Sequence, residues 1–232
     1  MAKRTATTTD PEAAEPADAA LGLRERKKRQ TAIRIWRSAI SLFAERSFDE
    51  VSVAEIAAAA EVSKMTVFNY FPSKEDLVMG PMEQHTGEAA EVVRDRAPGV
   101  SAVAAVRTHF LTALERFDPT TGLSDDRFVL DVVRLIHRTP ALALRATTGW
   151  GVAANDLLAT ELLAQDPAGD RLTARVAAAQ LMGVRLALID ENHRRMLAGE
   201  RAADVLPEAV ENARRGFALV EHGLGAYGTR PV

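Results

Sequence analysis

Val51–Leu77 reads VSVAEIAAAAEVSKMTVFNYFPSKEDL, and it decides how the rest of the chain is read. Ser52 can cap a short helix, and Glu55 three residues later completes a capping box. Val53, Ile56 and Ala57 recur at helical spacing, while Ala58 to Ala60 add helix propensity without bulk. Glu61-Val62 makes a tight connection, and Ser63 caps a second short helix through Met65, Thr66, Val67, Phe68 and Tyr70. Two short helices joined by so few residues predict a helix-turn-helix, whose second helix fits the major groove of DNA. Lys64, Met65, Thr66 and Asn69 fall on its early, outward turns, and Val67 and Phe71 face inward.

These residues also carry a family resemblance. TVFNYFPSKEDL (Thr66–Leu77) resembles the T-hydrophobic-aromatic-x-aromatic-F-x-x-K-acid-x-hydrophobic signature that closes the DNA-binding domain of TetR-type regulators. AISLFAERSFDEVSVAEIAAAAEVS (Ala39–Ser63) resembles that family's first two helices. The resemblance covers residues 31–78. Ser47 and Glu61 stand where the family commonly has glycine, which predicts slightly altered turns, since only glycine takes positive φ without cost. Phe68 stands where tyrosine is common, removing a hydroxyl that would donate to phosphate. The resemblance implies an all-α chain: a three-helix helix-turn-helix DNA-binding head and a helical ligand-binding and dimerisation body. It implies that Lys64, Met65, Thr66 and Asn69, with Ser63 at their cap, approach bases. Tyr70, Lys74 and Ser52 would meet phosphates. Residue chemistry agrees: Lys donates to guanine O6/N7, Asn pairs with adenine N6/N7, and Met or Thr touches a thymine methyl. Packing of Met65 and Tyr70 against the head's own core is the competing reading.

Working outward, helix 1 is expected over Thr31–Arg46, with Ile33, Trp36, Ile40 and Phe43 as its apolar stripe. The basic run RERKKRQ precedes it. Arg26, Lys27 and Lys28 there form either a solvated lead-in or an arm that tracks phosphates or enters a minor groove. Residues 1–23 are rich in Ala, Thr, Pro and acids and read as disordered. This gives a disordered extension (1–23), a DNA-binding head with its basic arm (24–78) and a helical body (79–232).

Ser73 is expected to cap the connecting helix, with a kink or break at Gly80-Pro81 and resumption to Arg96. Further helices are expected over Ser101–Phe117, Ser124–Thr139, Pro140–Gln165 (irregular around Trp150, between Gly149 and Gly151), Asp170–Leu197 and Leu206–His222. Pro207 would be the first helical residue of the last. By analogy with the family the body holds a small-molecule pocket. His109, Phe110, Phe128, Trp150, Asn155, Met182 and Arg185 are its candidate lining, with core packing or a solvated face as the alternative for each. The last two helices are expected to pair with those of a second subunit through Ala178, Gly183, Val210, Phe217 and Val220, or else to bury that stripe within one protomer. Two heads on one dimer suit a palindromic site.

The chain has 232 residues, no cysteine and a net charge of −3, which excludes thiolate chemistry and a wholesale nucleic-acid coat. No apolar run of about 20 residues and no signal-peptide core are read in it, so a cytoplasmic location without membrane contact is expected. Scattered histidines suggest no metal, and no cofactor motif or nucleophile–base arrangement points to an enzyme. The reading is a homodimeric repressor released from a palindromic operator by a hydrophobic or amphipathic effector. A DNA-binding activator, a ligand-independent regulator and, further off, a helical adaptor or enzyme are its rivals.

Overall fold

A computed structural model describes residues 22–165 and 169–223, and every regular element among them is helical. The head comprises α1 (Leu23–Glu45), α2 (Val53–Ala59) and α3 (Lys64–Tyr70). α1 begins eight residues before the expected Thr31, so the basic run forms its opening turns. Leu23 belongs to this helix too; residues 1–21 of the expected disordered extension lie outside the described residues. The buried stripe of α1 is Ile35, Ala39, Ile40 and Phe43. Ile33 is 39% exposed, because the helix turns its 35/39/43 face to the core.

α4 (Asp76–Glu83) follows, with Ser73 and Asp76 capping one another: Ser73 N donates to Asp76 Oδ2 at 2.8 Å, and Asp76 N to Ser73 Oγ at 3.1 Å. Gly80 and Pro81 stay inside α4, contrary to the expected break. Leu77, Val78 and Met79 beside them are fully buried and hold the helix together. The break comes at residues 84–87, where His85 N and Thr86 N bond three residues back. α5 (Glu88–Arg94) resumes the path.

Then come α6 (Ala102–Glu115), a 3₁₀ turn (Pro119–Thr121), α7 (Arg127–Arg138), α8 (Pro140–Arg145), one π turn (Ala146–Trp150), α9 (Gly151–Ala164), α10 (Arg171–Leu197) and α11 (Ala202–His222). The expected irregularity at Trp150 is this π turn. Asp126 caps α7, accepting from Phe128 N and Val129 N. α11 starts at Ala202, whose N–H donates to Asp125 Oδ2 at 2.9 Å. That cap, with Ala202 and Val205 buried, starts the helix early and leaves Pro207 inside it. Gly122 closes the α6–α7 connection at φ +76 against α10; a Cβ there would lie 2.6 Å from the Ile189 carbonyl.

Two cores organise these helices. The first joins the head and α4 (Ile35, Phe43, Ile56, Val67, Leu77) to α7 and α8 through Val132, Leu135 and Leu142. The second gathers α5, α6, α9, α10 and α11 around Val93, Phe110, Leu158, Leu181 and Phe217. Trp36 and Phe128 meet edge to face at 4.8 Å, and Arg138 donates to the Phe43 carbonyl at the end of α1. The body therefore touches the head through α7 as well as through the connecting helix. By length and composition α10 is apolar enough to cross a membrane, although Arg175, Gln180 and Arg185 interrupt its apolar residues, so that no unbroken apolar run marks it in the sequence. Here α10 packs against α9 and α11.

Candidate nucleic-acid interface

The candidate surface is built by two capped helices and one strained turn. Ser52 accepts from Glu55 N at 3.2 Å, and its own N–H donates to Glu55 Oε2 at 2.8 Å, the expected capping box. Arg46 holds Glu55 at 2.8 Å; this hydrogen bond and those from Ser52 bring the Glu55 carboxyl down to about 2. The Ser52 hydroxyl donates to the same carboxylate at 2.7 Å, so a phosphate at Ser52 would meet a fixed negative charge. α2 ends in a Schellman motif: Val62 N bonds Ala57 O and Glu61 N bonds Ala58 O. Glu61 takes φ +52, so the glycine-like turn is retained under strain and is not altered as expected. Ser47, by contrast, is not in a positive-φ conformation.

Ser63 caps α3 by accepting from Thr66 N at 3.0 Å, and its hydroxyl lies 2.8 Å from that of Thr66. Val67 is fully buried and Phe71 nearly so, which turns Lys64, Met65, Phe68 and Asn69 outward. Met65 is 69% exposed, which settles the packing alternative against it. Tyr70 is half-buried and packs on the head core. Phe68, 39% exposed with Lys64 Nζ 5.8 Å from its ring, is a surface aromatic absent from the expected contact set. Its place one turn after Lys64 was the available signal. Lys74 Nζ lies 4.6 Å from the Phe48 ring and 5.8 Å from that of Phe43, folded over the head's aromatic core. Arg26, Lys27 and Lys28 are exposed on the opening turns of α1, whose N-cap Gly22 supplies no side-chain bond. Positive charge at the positive end of a helix dipole is unfavourable until an anion approaches.

Residues 35–79 match the family described as bacterial regulatory proteins, tetR family. The chain is 31% identical over 122 residues to the HTH-type transcriptional regulator TcmR of Streptomyces glaucescens, covering 52% of this chain and 54% of that one. Its head matches the TetR-family DNA-binding domain. It spans about half the length of the curated relatives it matches. The fold is similar to that of NalD, the secondary repressor of the MexAB-OprM multidrug efflux pump in Pseudomonas aeruginosa (TM-score 0.55, 18% identity, 81% of this chain and 97% of that one). It is also similar to Salmonella enterica GusR (TM-score 0.52, 21% identity, 84% and 96%).

The seven candidate pocket residues do not converge. His109 and Arg185 meet at Glu88: His109 Nε2 lies 3.0 Å from Oε1, and Arg185 donates to Oε2 at 2.7 Å. Burial pushes the Glu88 carboxyl up, but His109 and Arg185 outweigh it and bring it to about 2. Phe110 packs on Phe217 at 5.9 Å inside the second core, with Met182 at its edge. Phe128 serves the head junction, Trp150 is the last residue of the π turn, and Asn155 lies in α9. Two surface grooves, of about 360 and 400 Å³, are lined by other residues.

Of the expected interface residues, Ala178 on α10 and Phe217 on α11 are fully buried inside the protomer, Phe217 against Phe110 of α6, so neither is available to a partner. Val210 and Val220 pack on the same core, and Gly183 is exposed. Exposed instead are Leu172, Val176, Ala179, Gly183 and Leu186, spaced four, three, four and three along α10.

Proposed function

We propose that the chain is a cytoplasmic homodimeric repressor that reads a palindromic operator and releases it when a small, largely apolar effector binds the body. The observation that carries the reading is the outward face of α3: Lys64, Met65, Phe68 and Asn69 stand exposed above a closed head core. A short helix whose inner side is fully spent on its own core has only its outer side for recognition. Arg26, Lys27 and Lys28 supply phosphate contacts from the helical start of α1, where DNA phosphates relieve the unfavourable dipole. The exposed α10 stripe supports the dimer, since its near-heptad spacing suits a second copy of the same helix. Effector action requires tighter binding to the DNA-incompetent arrangement; a coupling of ~1–3 kcal/mol weakens operator binding about 5–150-fold.

Selection of bound sequences from a random DNA library by the full chain tests this. An enriched palindrome is expected, and failure to enrich any sequence at low salt with a folded dimer defeats it. Joint substitution Lys64→Ala and Lys74→Ala is expected to abolish operator binding while sedimentation still reports a dimer. Lys27→Ala with Lys28→Ala is expected to weaken all sequences alike and to reduce the salt slope by about 2.

A further inference from the structure

At about 3.6 residues per turn, the outward side chains of α3 follow one another around the helix as Lys64, Phe68, Met65 and Asn69. Two hydrogen-bonding residues thus flank two apolar ones. Met65 and Phe68 stand three positions apart, so they are neighbours on the surface and form one exposed apolar patch. Val67 and Phe71 already complete the core beneath them. The patch carries no hydrogen-bond code of its own: a phenyl ring has neither donor nor acceptor, and a thioether is a weak acceptor.

A protein partner fits this patch poorly. Two side chains fall far short of the roughly 800 Å² per side that a stable interface buries, and interface cores are depleted in lysine. Lys64 Nζ lies 5.8 Å from the Phe68 ring, which puts positive charge at the edge of the patch and suits a polyanion. DNA offers such a surface one apolar group on a base edge in the major groove, the C5-methyl of thymine. Methylated cytosine carries the same group at the same place. A ring or thioether laid on that methyl takes apolar area on both sides out of water. Removing the methyl then costs affinity while every hydrogen bond stays.

We propose that Met65 and Phe68 together select operators by the C5-methyl groups of pyrimidines, which makes Phe68 a specificity-determining residue in its own right. This rests on the operator-binding reading above and names the chemical group that one part of its surface takes. Lys64 and Asn69 read hydrogen-bonding edges on either side, and the patch between them reads apolar shape.

Selection from random DNA by the full chain supplies the operator. Thymines of one half-site are then replaced singly by deoxyuridine, which removes the methyl and keeps the O4 acceptor and the pairing, and affinity is followed by anisotropy. The native chain is expected to lose about fourfold at one or two of these thymines, the worth of one buried methyl. Phe68→Ala and Met65→Ala should each bind the thymine operator more weakly and become indifferent to uracil at one of these positions, whereas Phe68→Leu keeps the discrimination. At the same positions 5-methyldeoxycytidine should bind better than deoxycytidine by a similar factor. An operator with no thymine in its half-sites overturns the proposal, as does one whose every thymine tolerates uracil. Equal binding of the two cytosines also overturns it, by assigning recognition to O4. Uracil sensitivity undiminished in both alanine variants removes Met65 and Phe68 from the role. The uracil scan uses the native chain, so it decides whatever the variants do to folding. Failure to enrich any operator defeats the repressor reading together with the patch; an enriched operator indifferent to uracil defeats the patch alone.

Discussion

On α3 of the head, Lys64, Met65, Phe68 and Asn69 face solvent while Val67 and Phe71 complete the core beneath them. In the second core, Arg185 and Asn192 are buried, and each bonds an atom from another segment: Glu88 and the Thr121 carbonyl. The head leaves its chemistry over for a partner, whereas the body spends most of its own on holding itself together. A substitution on the α3 face should therefore alter binding at constant stability, and one among the body's polar residues should do the reverse.

The largest contrast is expected between Gly122→Ala and Asn69→Ala. A Cβ at Gly122 meets the Ile189 carbonyl at 2.6 Å, at φ +76, so strain and overpacking add to a loss of about 2–5 kcal/mol in urea unfolding. Asn69→Ala should stay within about 0.5 kcal/mol of the native chain and lower DNA affinity instead. Equal stability losses in the two would erase the distinction.

Next in size is Arg185→Leu, which leaves the Glu88 carboxylate with His109 alone. Glu88 keeps 19% of its side chain exposed, so the loss should be about 2–4 kcal/mol, somewhat below the roughly 3–5 kcal/mol of a fully buried pair. Adding Glu88→Gln should recover part of it, because no unpaired charge then remains. A double substitution worse than the single would mean that Arg185 acts through packing alone.

His193 sharpens the comparison by pH. It packs edge to face on His137 at 6.2 Å, and burial first, then the charge of His137, lowers its pKa to about 4. The unfolded chain takes up this proton near 6.5 and the folded chain near 4. Stability is thus unaffected above about 6.5 and falls as pH drops from 6.5 towards 4, by about 3 kcal/mol in all. Glu88 acts in a lower window: its contribution is complete above about 4.5 and is lost as pH falls towards 2. His193→Gln should flatten the unfolding profile between pH 4 and 6.5 and leave the more acidic part in place. An unchanged slope in that range would assign it to other groups.

The head was legible because its signals are local. Ser52 with Glu55, Ser63 with Thr66 and the inward Val67 and Phe71 are all set within four residues of chain, and the structure reproduces each. The early start of α1 was hidden because five basic residues at a helix N-terminus look unfavourable in isolation. The body's polar residues were legible as residues but not as partners. Glu88, His109 and Arg185 lie 21 and 97 positions apart, and only the packing of α5, α6 and α10 brings them together. Phe217 and Leu186 are both apolar residues on long helices, and helical period alone does not say which face meets the protomer's own core.

The finest test uses one motif that recurs three times among the described residues. α10 closes with Gly199 at φ +86, its following amide bonding Arg195 O. In the head Glu61 occupies the same position at φ +52, and in the body Phe117 does so at φ +54, with Asp118 N bonding Ala113 O. An L residue in this region costs about 1–2 kcal/mol, and glycine there gives back part of the gain through its freer unfolded chain. Glu61 is exposed, so Glu61→Gly should stabilise the protein by about 0.5–1 kcal/mol, and Glu61→Asn by less. Phe117 is 36% exposed and still covers part of its ring, so relief of strain at Phe117→Gly is offset by lost apolar contact and the net change should be near zero. Melting temperatures of the three variants decide the matter. A stabilising Phe117→Gly would mean that the ring contributes nothing to the body, and a destabilising Glu61→Gly would mean that the Glu61 side chain holds the turn before α3 in place.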